Sequence, residues 1–332
     1  MLVEQGWKSA QIELFGFIGI GSGGFNSFFE SSFLEIVRIE IQELEVNQQL
    51  IEGGTEQFPL NFWIEEVLCH HWRQISVAEL CYDTLLPGVA KISTKNSAGT
   101  ITVTDINGAE KQFESVILTA TPPAIDTTIN INPEAFSEEV WCALRSIEMT
   151  EPTKVFILTT KTPFWEKLDC TLRMTLTDRL PRQIYLFTSK ELGYDAPNGI
   201  ICLSYAWASS SIKFNALSNT QRVNVCLGAL EEIYGEQMRH TIENEMVHDQ
   251  SISICWENQY GYSGGWRMAH PGQANYVQVM HEQCLGLNTK WNNGLYLAGE
   301  AMSWYGLPGW IDGAIQTGLE AAISAISHVI KE

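Results

Sequence analysis

Positive charge is scarce in this 332-residue chain: 20 Lys and Arg stand against 39 Asp and Glu, a net charge of −19. Such a balance repels nucleic acid and anionic membrane surfaces, so neither is expected as a partner. Paired cysteines are lacking as well. Cys69, Cys81, Cys142, Cys170, Cys202, Cys226, Cys255 and Cys284 are scattered with no C-x-x-C pair, which argues against a disulfide framework and for reduced thiols in a cytoplasm. Cys69 precedes His70 and His71, but no second cluster stands at ligand spacing, so no metal is expected. No apolar run is long enough to span a bilayer, and MLVEQGWKSAQ lacks the basic-then-apolar order of a signal peptide. A Ser/His/Asp constellation is also missing. What remains is 45% hydrophobic and 18% charged, a globular composition with length for one large or two ordinary domains.

The most informative stretch is 295–318, LYLAGEAMSWYGLPGWIDGAIQTG. A short apolar strand over 295–298 leads into a loop dense in glycine and aromatics. A helix opens at Trp310 or Ile311 and runs towards Ile330. Helical spacing predicts Ile311, Ala314, Ile315, Gly318, Ala322, Ala325, Ile326 and Val329 as its buried face. A Gly-rich strand-to-helix turn aims free N–H groups and the positive end of a helix dipole at one point, where an electron-rich group is stabilised. An ordinary buried helix after a tight turn gives the same spacing.

Residues 12–20 (IELFGFIGI) read as an apolar strand, and Gly19, Gly21 and Gly24 formally satisfy G-x-G-x-x-G. A helix is expected next, capped by Ser27 and Glu30, with Phe29, Phe33, Ile36, Val37 and Leu44 on one face. Glu40 lies near the distance of a ribose-binding acid, the pattern of a Rossmann oxidoreductase using a nicotinamide cofactor. That unit needs a second parallel strand at the acid, where the sequence instead reads IEIQELEVNQQ. After Gly53-Gly54, a pair suited to a turn or to close backbone approach, a helix is expected over 62–71. Residues 86–125 read as a β-meander with strands over 89–94, 100–105 and 114–119 and a tight turn at Asn107-Gly108. A strand over 155–159 carries Lys154 at its start, RQIYLFT and GIICLSYAW form two more, and 220–234 is helical. Over 252–277, Trp256, Tyr260, Tyr262, Trp266 and Tyr276 interleave with Gly261, Gly264 and Gly265, an apolar wall for a planar ligand or a core cluster.

Gly299-Glu300 after an apolar strand, followed by Pro308-Gly309-Trp310-Ile311-Asp312-Gly313-Ala314, resembles the C-terminal signature of the flavin-dependent amine oxidase family. GIGSGGFNSFFESSFLEIVRI, with EGG downstream, resembles an internal segment of the family's tryptophan 2-monooxygenase branch, and SVILTATPP and K-V-x-x-x-x-x-x-x-F-W strands match further pieces. The resemblance implies FAD as cofactor and oxidation of an L-amino acid such as tryptophan, by an oxidase or a decarboxylating monooxygenase. It places Lys154 at a water beside flavin N5, with Lys161 as fallback, and sets Trp266 and Trp310 on either side of the substrate amine. It assigns Val89 to the adenine through its backbone and Gly299 and Glu300 to the ribityl or phosphate region. Gly309, Trp310, Ile311 and Ala314 fall at the flavin ring.

The implied fold is α/β of mixed type, an incomplete FAD-binding domain plus a mixed-sheet substrate domain covered by helices. Residues 1–50 form a helical segment of the substrate domain, 51–125 and 256–332 parts of the FAD-binding domain, and 126–255 the substrate domain. The chain covers about 60% of a family enzyme judged by domain size, without the N-terminal ADP-binding unit and without a matched arginine for the substrate carboxylate; neither Arg38 nor Arg267 has a motif match. Expected partners are therefore an amino-acid substrate, O2, a separate N-terminal ADP-binding polypeptide and a second copy of the chain. A non-catalytic fragment is the remaining alternative.

Overall fold

The computed structural model describes residues 3–18, 31–41, 51–69, 73–81, 86–96, 99–160, 165, 174–287, 294–304 and 309–331. It is a mixed α/β protein with two large hydrophobic cores and a smaller third one.

The expected strand over 12–20 is instead part of a helix, Ser9–Ile18. IELFGFIGI has no polar–apolar alternation, so its apolar run alone does not separate strand from helix. The chain enters the helix through the Lys8 N–H donating to Gln11 Oε1 at 2.8 Å, and Trp7 meets Phe15 edge-on at 5.6 Å. Gly19, Gly21, Gly24, Ser27 and Glu30 lie outside the described residues. The next helix, Phe33–Ile41, takes Ser32 as its cap, the Leu34 N–H donating to Ser32 Oγ. Its face is also rotated from expectation: Phe33 is exposed while Glu35 is buried.

Gly53 and Gly54 have φ of +80° and +94°, so the pair makes the turn that glycine allows. The helix that follows is Gln57–Ile64, not 62–71, and the chain then forms the hairpin strands Val67–Cys69 and Arg73–Ile75. Pro59 accounts for the early start, since proline is tolerated in a first turn, where its missing N–H costs nothing.

Most of the expected meander forms, in a four-stranded sheet ordered Glu110–Phe113, Ile101–Asp105, Val89–Ile92, Asn130–Ile131. Its tight turn is closed by Asp105 Oδ1, which accepts from the N–H groups of Asn107 and Ala109 at 2.8 and 2.9 Å. The strand expected over 114–119 leaves this sheet. As Val116–Leu118 it pairs in parallel with Leu295–Leu297. Around these strands lies the first core, including Ile92, Ile101, Phe136, Leu144 and Leu297.

The second core sits under an antiparallel sheet ordered Met174–Leu176, Gln183–Thr188, Gly199–Trp207, Pro152–Thr159, Met246–Cys255. Burial alternates along Pro152–Thr159 with the period of two that a half-covered sheet requires: Val155 and Ile157 are buried, whereas Lys154, Phe156 and Leu158 are half-buried on the opposite face. The helices Ala208–Asn215 and Asn219–Tyr234 close the first face with Phe214, Val223 and Leu227. Ser218 and Gln221 form a reciprocal capping box at the start of the second helix, satisfying two otherwise orphaned N–H groups.

Strand Trp266–Met268 pairs with Glu148–Thr150. Gly264 lies so close beside it that a Cβ would come within 2.5 Å of Met149 Cβ. The C-terminal helix is Ile311–Lys331. Its buried positions are Gly313, Thr317, Ala321 and Ala325, whereas Ile311, Ile315, Ile326 and Val329 of the expected face are exposed. Small residues let the helix axis approach Tyr296, and Thr317 Oγ1 fastens it by accepting the Gly299 N–H at 3.0 Å.

Candidate active site

The five-stranded sheet, the Trp266–Met268 strand and the start of the C-terminal helix meet at a cavity of about 270 Å³, lined among others by Tyr205, Trp207, Trp266, Arg267, Gly309 and Trp310. Strand alternation builds one wall. Tyr205 and Trp207, two residues apart, share a side of the sheet and touch edge-to-face at 5.3 Å, and Trp207 meets Trp266 in the same manner at 5.1 Å. Gly309 forms the opposite lip. Its φ is +82° and a Cβ there would stand 3.1 Å from Trp266 Cγ, so glycine alone lets this backbone lie against the indole. Trp310 extends the lip and is 44% exposed.

Lys154 is the third residue of its strand, which begins at Pro152 and so two residues earlier than expected. Its register partner is Tyr205, and its Nζ stands 4.5 Å from the Tyr205 ring centroid, a cation–π geometry. Lys154, Trp266 and Trp310 are therefore gathered at one place: two line the cavity, and the third stacks on a residue that lines it. Phe156 and Leu158, on the same face of the strand as Lys154, line a separate apolar cavity of about 610 Å³ with Phe187, Ile200 and Ile252.

Arg267 anchors the floor. It is 2% exposed; Nη2 donates to Glu35 Oε2 at 2.9 Å and Nη1 to Ser303 O at 2.9 Å. Arg38, also on Glu35 at 2.6 Å, lies over the Trp304 ring, and burial lowers its pKa. Glu300 bridges the strand and the lip. Its Oε1 accepts the Arg267 N–H at 3.1 Å and its Oε2 the Gly309 N–H at 2.7 Å, so it ties the lip of the cavity to the strand below. Burial pushes its pKa up, against the lowering effect of the Gly309 N–H and of Arg267.

Gly299 ends the parallel pair with φ +131°, at the carboxyl end of the strands where open α/β sheets take ligands. Ile311 is exposed and Ala314 half-buried in the first turns of the helix. Val89 is 37% exposed in the four-stranded sheet and does not line this cavity. Of the aromatics over 252–277, only Trp266 lines it; Tyr260 and Tyr262 are exposed and Tyr276 packs on the first core. Lys161, His70 and His71 lie outside the described residues. One trio of potential metal donors is brought together, His281, Cys284 and Glu320. Met302 O, Thr317 O and the Gln316 amide engage His281 Nδ1, Cys284 Sγ and Glu320 Oε1, His281 Nε2 stands 3.8 Å from Glu320 Oε2, and burial pushes the Cys284 thiol up to about 12.

Sequence reasoning missed Tyr205, Trp207, Glu35 and the anchoring role of Arg267. The first two were readable as an i, i+2 aromatic pair at the end of GIICLSYAW. Glu35 and Arg267 join across 232 positions of sequence, and no local pattern announces such a pair.

The donors and walls suit a planar ring with an electron-rich edge. Indole faces flank the space, the first-turn N–H groups of the C-terminal helix are left unused by its ladder, and the buried Arg267 Nε has no partner among the described residues. Residues 7–326 match the family model described as flavin containing amine oxidoreductase. The chain is 29% identical over 328 residues to a tryptophan 2-monooxygenase of Pseudomonas savastanoi, covering 96% of this chain and 56% of that protein. It is 28% identical over 326 residues to a tryptophan 2-monooxygenase of Rhizobium radiobacter, covering 95% and 40%. A putative L-amino-acid oxidase, YobN, of Bacillus subtilis (strain 168) is 30% identical over 185 residues, 54% of this chain and 34% of that one. The chain thus spans about half the length of the curated relatives it matches. It belongs to the flavin-containing amine oxidoreductases, a family of flavin-dependent enzymes.

Proposed function

We propose that this chain carries the reaction face of an FAD-dependent enzyme that oxidises an aromatic L-amino acid such as tryptophan in the cytoplasm, as an oxidase or a decarboxylating 2-monooxygenase. It works together with an N-terminal ADP-binding segment that grips the other end of FAD. The observation that carries this reading is the convergence of Trp266, Trp310 and, through Tyr205, Lys154 at the N-terminus of the C-terminal helix. A flavin held there would supply the acceptor for a hydride leaving the substrate Cα. Trp266 and Trp310 exclude water and hold the amine in a reactive pose. The helix N-terminus stabilises negative charge at the nearby ring edge, and Lys154 Nζ holds a water and supplies a proton on the side where oxygen reacts. Phe156, Leu158, Phe187 and Ile200 offer an apolar surface beside Lys154 for the substrate's aromatic side chain. O2 would take up the two electrons and two protons removed from the substrate and become peroxide; a released imino acid hydrolyses to a keto acid and ammonia, whereas a retained one reacts with the peroxide and loses CO2 and water to give the amide.

The nicotinamide reading is not favoured: Ser9–Ile18 is helical where a strand must feed Gly19. The test is to purify the chain with FAD and the ADP-binding segment, record the visible spectrum, and assay amino acids for peroxide and CO2. Flavin absorbance with turnover of an aromatic amino acid is expected; absent flavin absorbance sinks the reading. Lys154→Met is expected to keep the absorbance and slow oxygen turnover by about 10²-fold, the usual scale of a lost proton-transfer group.

A further inference from the structure

Two helices pack on the strand Leu295–Leu297 and on each other, Ala274–Cys284 and the C-terminal helix. Their contact is built around Cys284, Tyr296, Ala321 and Ala325, and it brings three metal-binding side chains together. His281 and Cys284 stand three positions apart on one helix, hence on one face, and meet Glu320 of the other. His281 is 4% exposed and Cys284 fully buried, while the Glu320 side chain is 25% exposed. An imidazole nitrogen, the thiol sulfur and a carboxylate oxygen all lie within 4.8 Å of one another.

The outer atoms of this trio are held in place by neighbours that do not ligate. His281 Nδ1 lies 3.2 Å from Met302 O; a carbonyl only accepts, so Nδ1 carries the proton, and in the neutral ring Nε2 keeps its lone pair. The Gln316 amide donates to Glu320 Oε1 at 3.0 Å. Glu320 Oε2 is buried and accepts no hydrogen bond among the described residues. Nε2 and Oε2 stand 3.8 Å apart, beyond hydrogen-bond reach. Two ligands bound at about 2.0–2.1 Å to one tetrahedral ion are ~3.4 Å apart, so a small turn of the Glu320 side chain closes the difference. One ring nitrogen on a backbone carbonyl, with the carboxylate's second oxygen hydrogen-bonded, is also how outer groups orient metal ligands.

We propose that His281 Nε2, Cys284 Sγ and Glu320 Oε2 bind one zinc ion, with a water as fourth ligand on the side where Glu320 is exposed. Imidazole and thiolate together select zinc over magnesium or calcium. One thiolate, one carboxylate and one neutral imidazole balance a divalent charge, so the filled site buries no net charge. On binding, the Cys284 S–H, which donates to Thr317 O at 3.2 Å, gives way to a sulfur–zinc bond and its proton leaves to solvent. Burial keeps the thiol protonated while the ion is absent; the ion's charge reverses that preference, helped by the Ala321 N–H beside the sulfur. The zinc joins the two helices and, through His281 Nδ1, the turn Glu300–Met302. Ala301 O and Ser303 O of that stretch accept from Arg267, so the ion steadies the floor of the candidate site without touching it. This assignment does not depend on the reaction proposed above.

The test loads the full chain, freed of any affinity tag, with zinc chloride, removes excess metal by gel filtration, and reads metal content and zinc X-ray absorption. One zinc per chain is expected, with a single sulfur at about 2.3 Å and nitrogen or oxygen ligands at about 2.0–2.2 Å. Cys284→Ser is expected to lose the sulfur signal while keeping its circular dichroism. Glu320→Ala, a helix-compatible change at a partly exposed side chain, is expected to weaken zinc at least tenfold in competition with a chromophoric chelator, and it decides the matter if the cysteine variant does not fold. Zinc is also expected to raise the melting temperature of the wild-type chain and not that of Glu320→Ala. A chain that retains no zinc overturns the proposal, as does unchanged affinity in Glu320→Ala. A sulfur signal that persists in Cys284→Ser places the metal on another thiol, such as Cys69 beside His70 and His71, and overturns it as well.

Discussion

Two regions of this molecule handle apolar surface in opposite ways. Under the five-stranded sheet, Val155, Ile201, Leu203, Phe214 and Leu227 are all within 1% of full burial, and two helices cover the face they occupy. Around the parallel pair, the strand Leu295–Leu297 is equally buried, yet the helix packed on it shows solvent a stripe of isoleucine and leucine. The first region closes its core with its own sequence. The second is finished on its inner side and unfinished on its outer side. The candidate site lies at the junction, with Lys154, Tyr205 and Trp207 from the closed region and Gly309 and Trp310 from the open one. A site divided in this way needs both regions in place to hold its geometry.

The sharpest way to break this contrast is to put the same kind of damage in each region. Phe214→Ala removes a ring with no solvent exposure and is expected to cost about 3–5 kcal/mol in urea unfolding. Leu319→Asp, on the bare stripe, is expected to cost about 1 kcal/mol or less in the isolated chain. A comparable loss at Leu319 means that the stripe is already covered, and the distinction between the regions fails.

The junction is the next test. Arg267 and Glu35 form a buried pair at 2.9 Å with side chains 0% and 7% exposed. Arg267→Met leaves the Glu35 carboxylate with Arg38 alone and is expected to cost about 3–5 kcal/mol. Combining it with Glu35→Gln should cost clearly less than the sum of the two single changes, because each single change strands the other's charge. Additive effects mean that the pair does not hold the junction.

Much of this arrangement was legible in the sequence, and the misses share a cause. Strands such as Gln183–Thr188 and Gly199–Trp207 follow their β-rich composition, and the Asn107-Gly108 turn follows from its two residues. Trp266, Trp310 and, through Tyr205, Lys154 stand at one cavity, although nothing local brings residues so far apart in sequence into one place. The C-terminal helix was found, but its buried face is rotated from the expected one, with Ala325 common to both. Hydrophobic periodicity assigns the largest side chains to the interior, whereas close approach to Tyr296 selects Gly313, Ala321 and Ala325 for the inner face. Phe33–Ile41 errs likewise, because the long-range pair with Arg267 draws Glu35 inward. Residues 12–18 fail for a different reason: with Glu13 as its one polar residue, the run carries no period to read.

The smallest expected effect concerns Glu300, which ties the open region's lip at Gly309 to the backbone of Arg267. Burial dominates its environment and raises its pKa above the ordinary carboxylate value, although the Gly309 N–H and Arg267 oppose the rise. A raised carboxyl pKa means that the folded chain binds the proton more tightly than the unfolded one. The stability contributed by this group is therefore greatest at acid pH and falls as pH rises from the ordinary carboxylate value through the raised folded value. This is opposite in sign to a carboxylate stabilised by a salt bridge. Relative to Glu300→Gln, which does not titrate, the wild-type chain should gain stability as pH is lowered through this window in urea unfolding. Loss of relative stability on acidification would mean that the two N–H bonds outweigh burial, and that the lip is held by a charged clamp whose strength grows towards neutral pH.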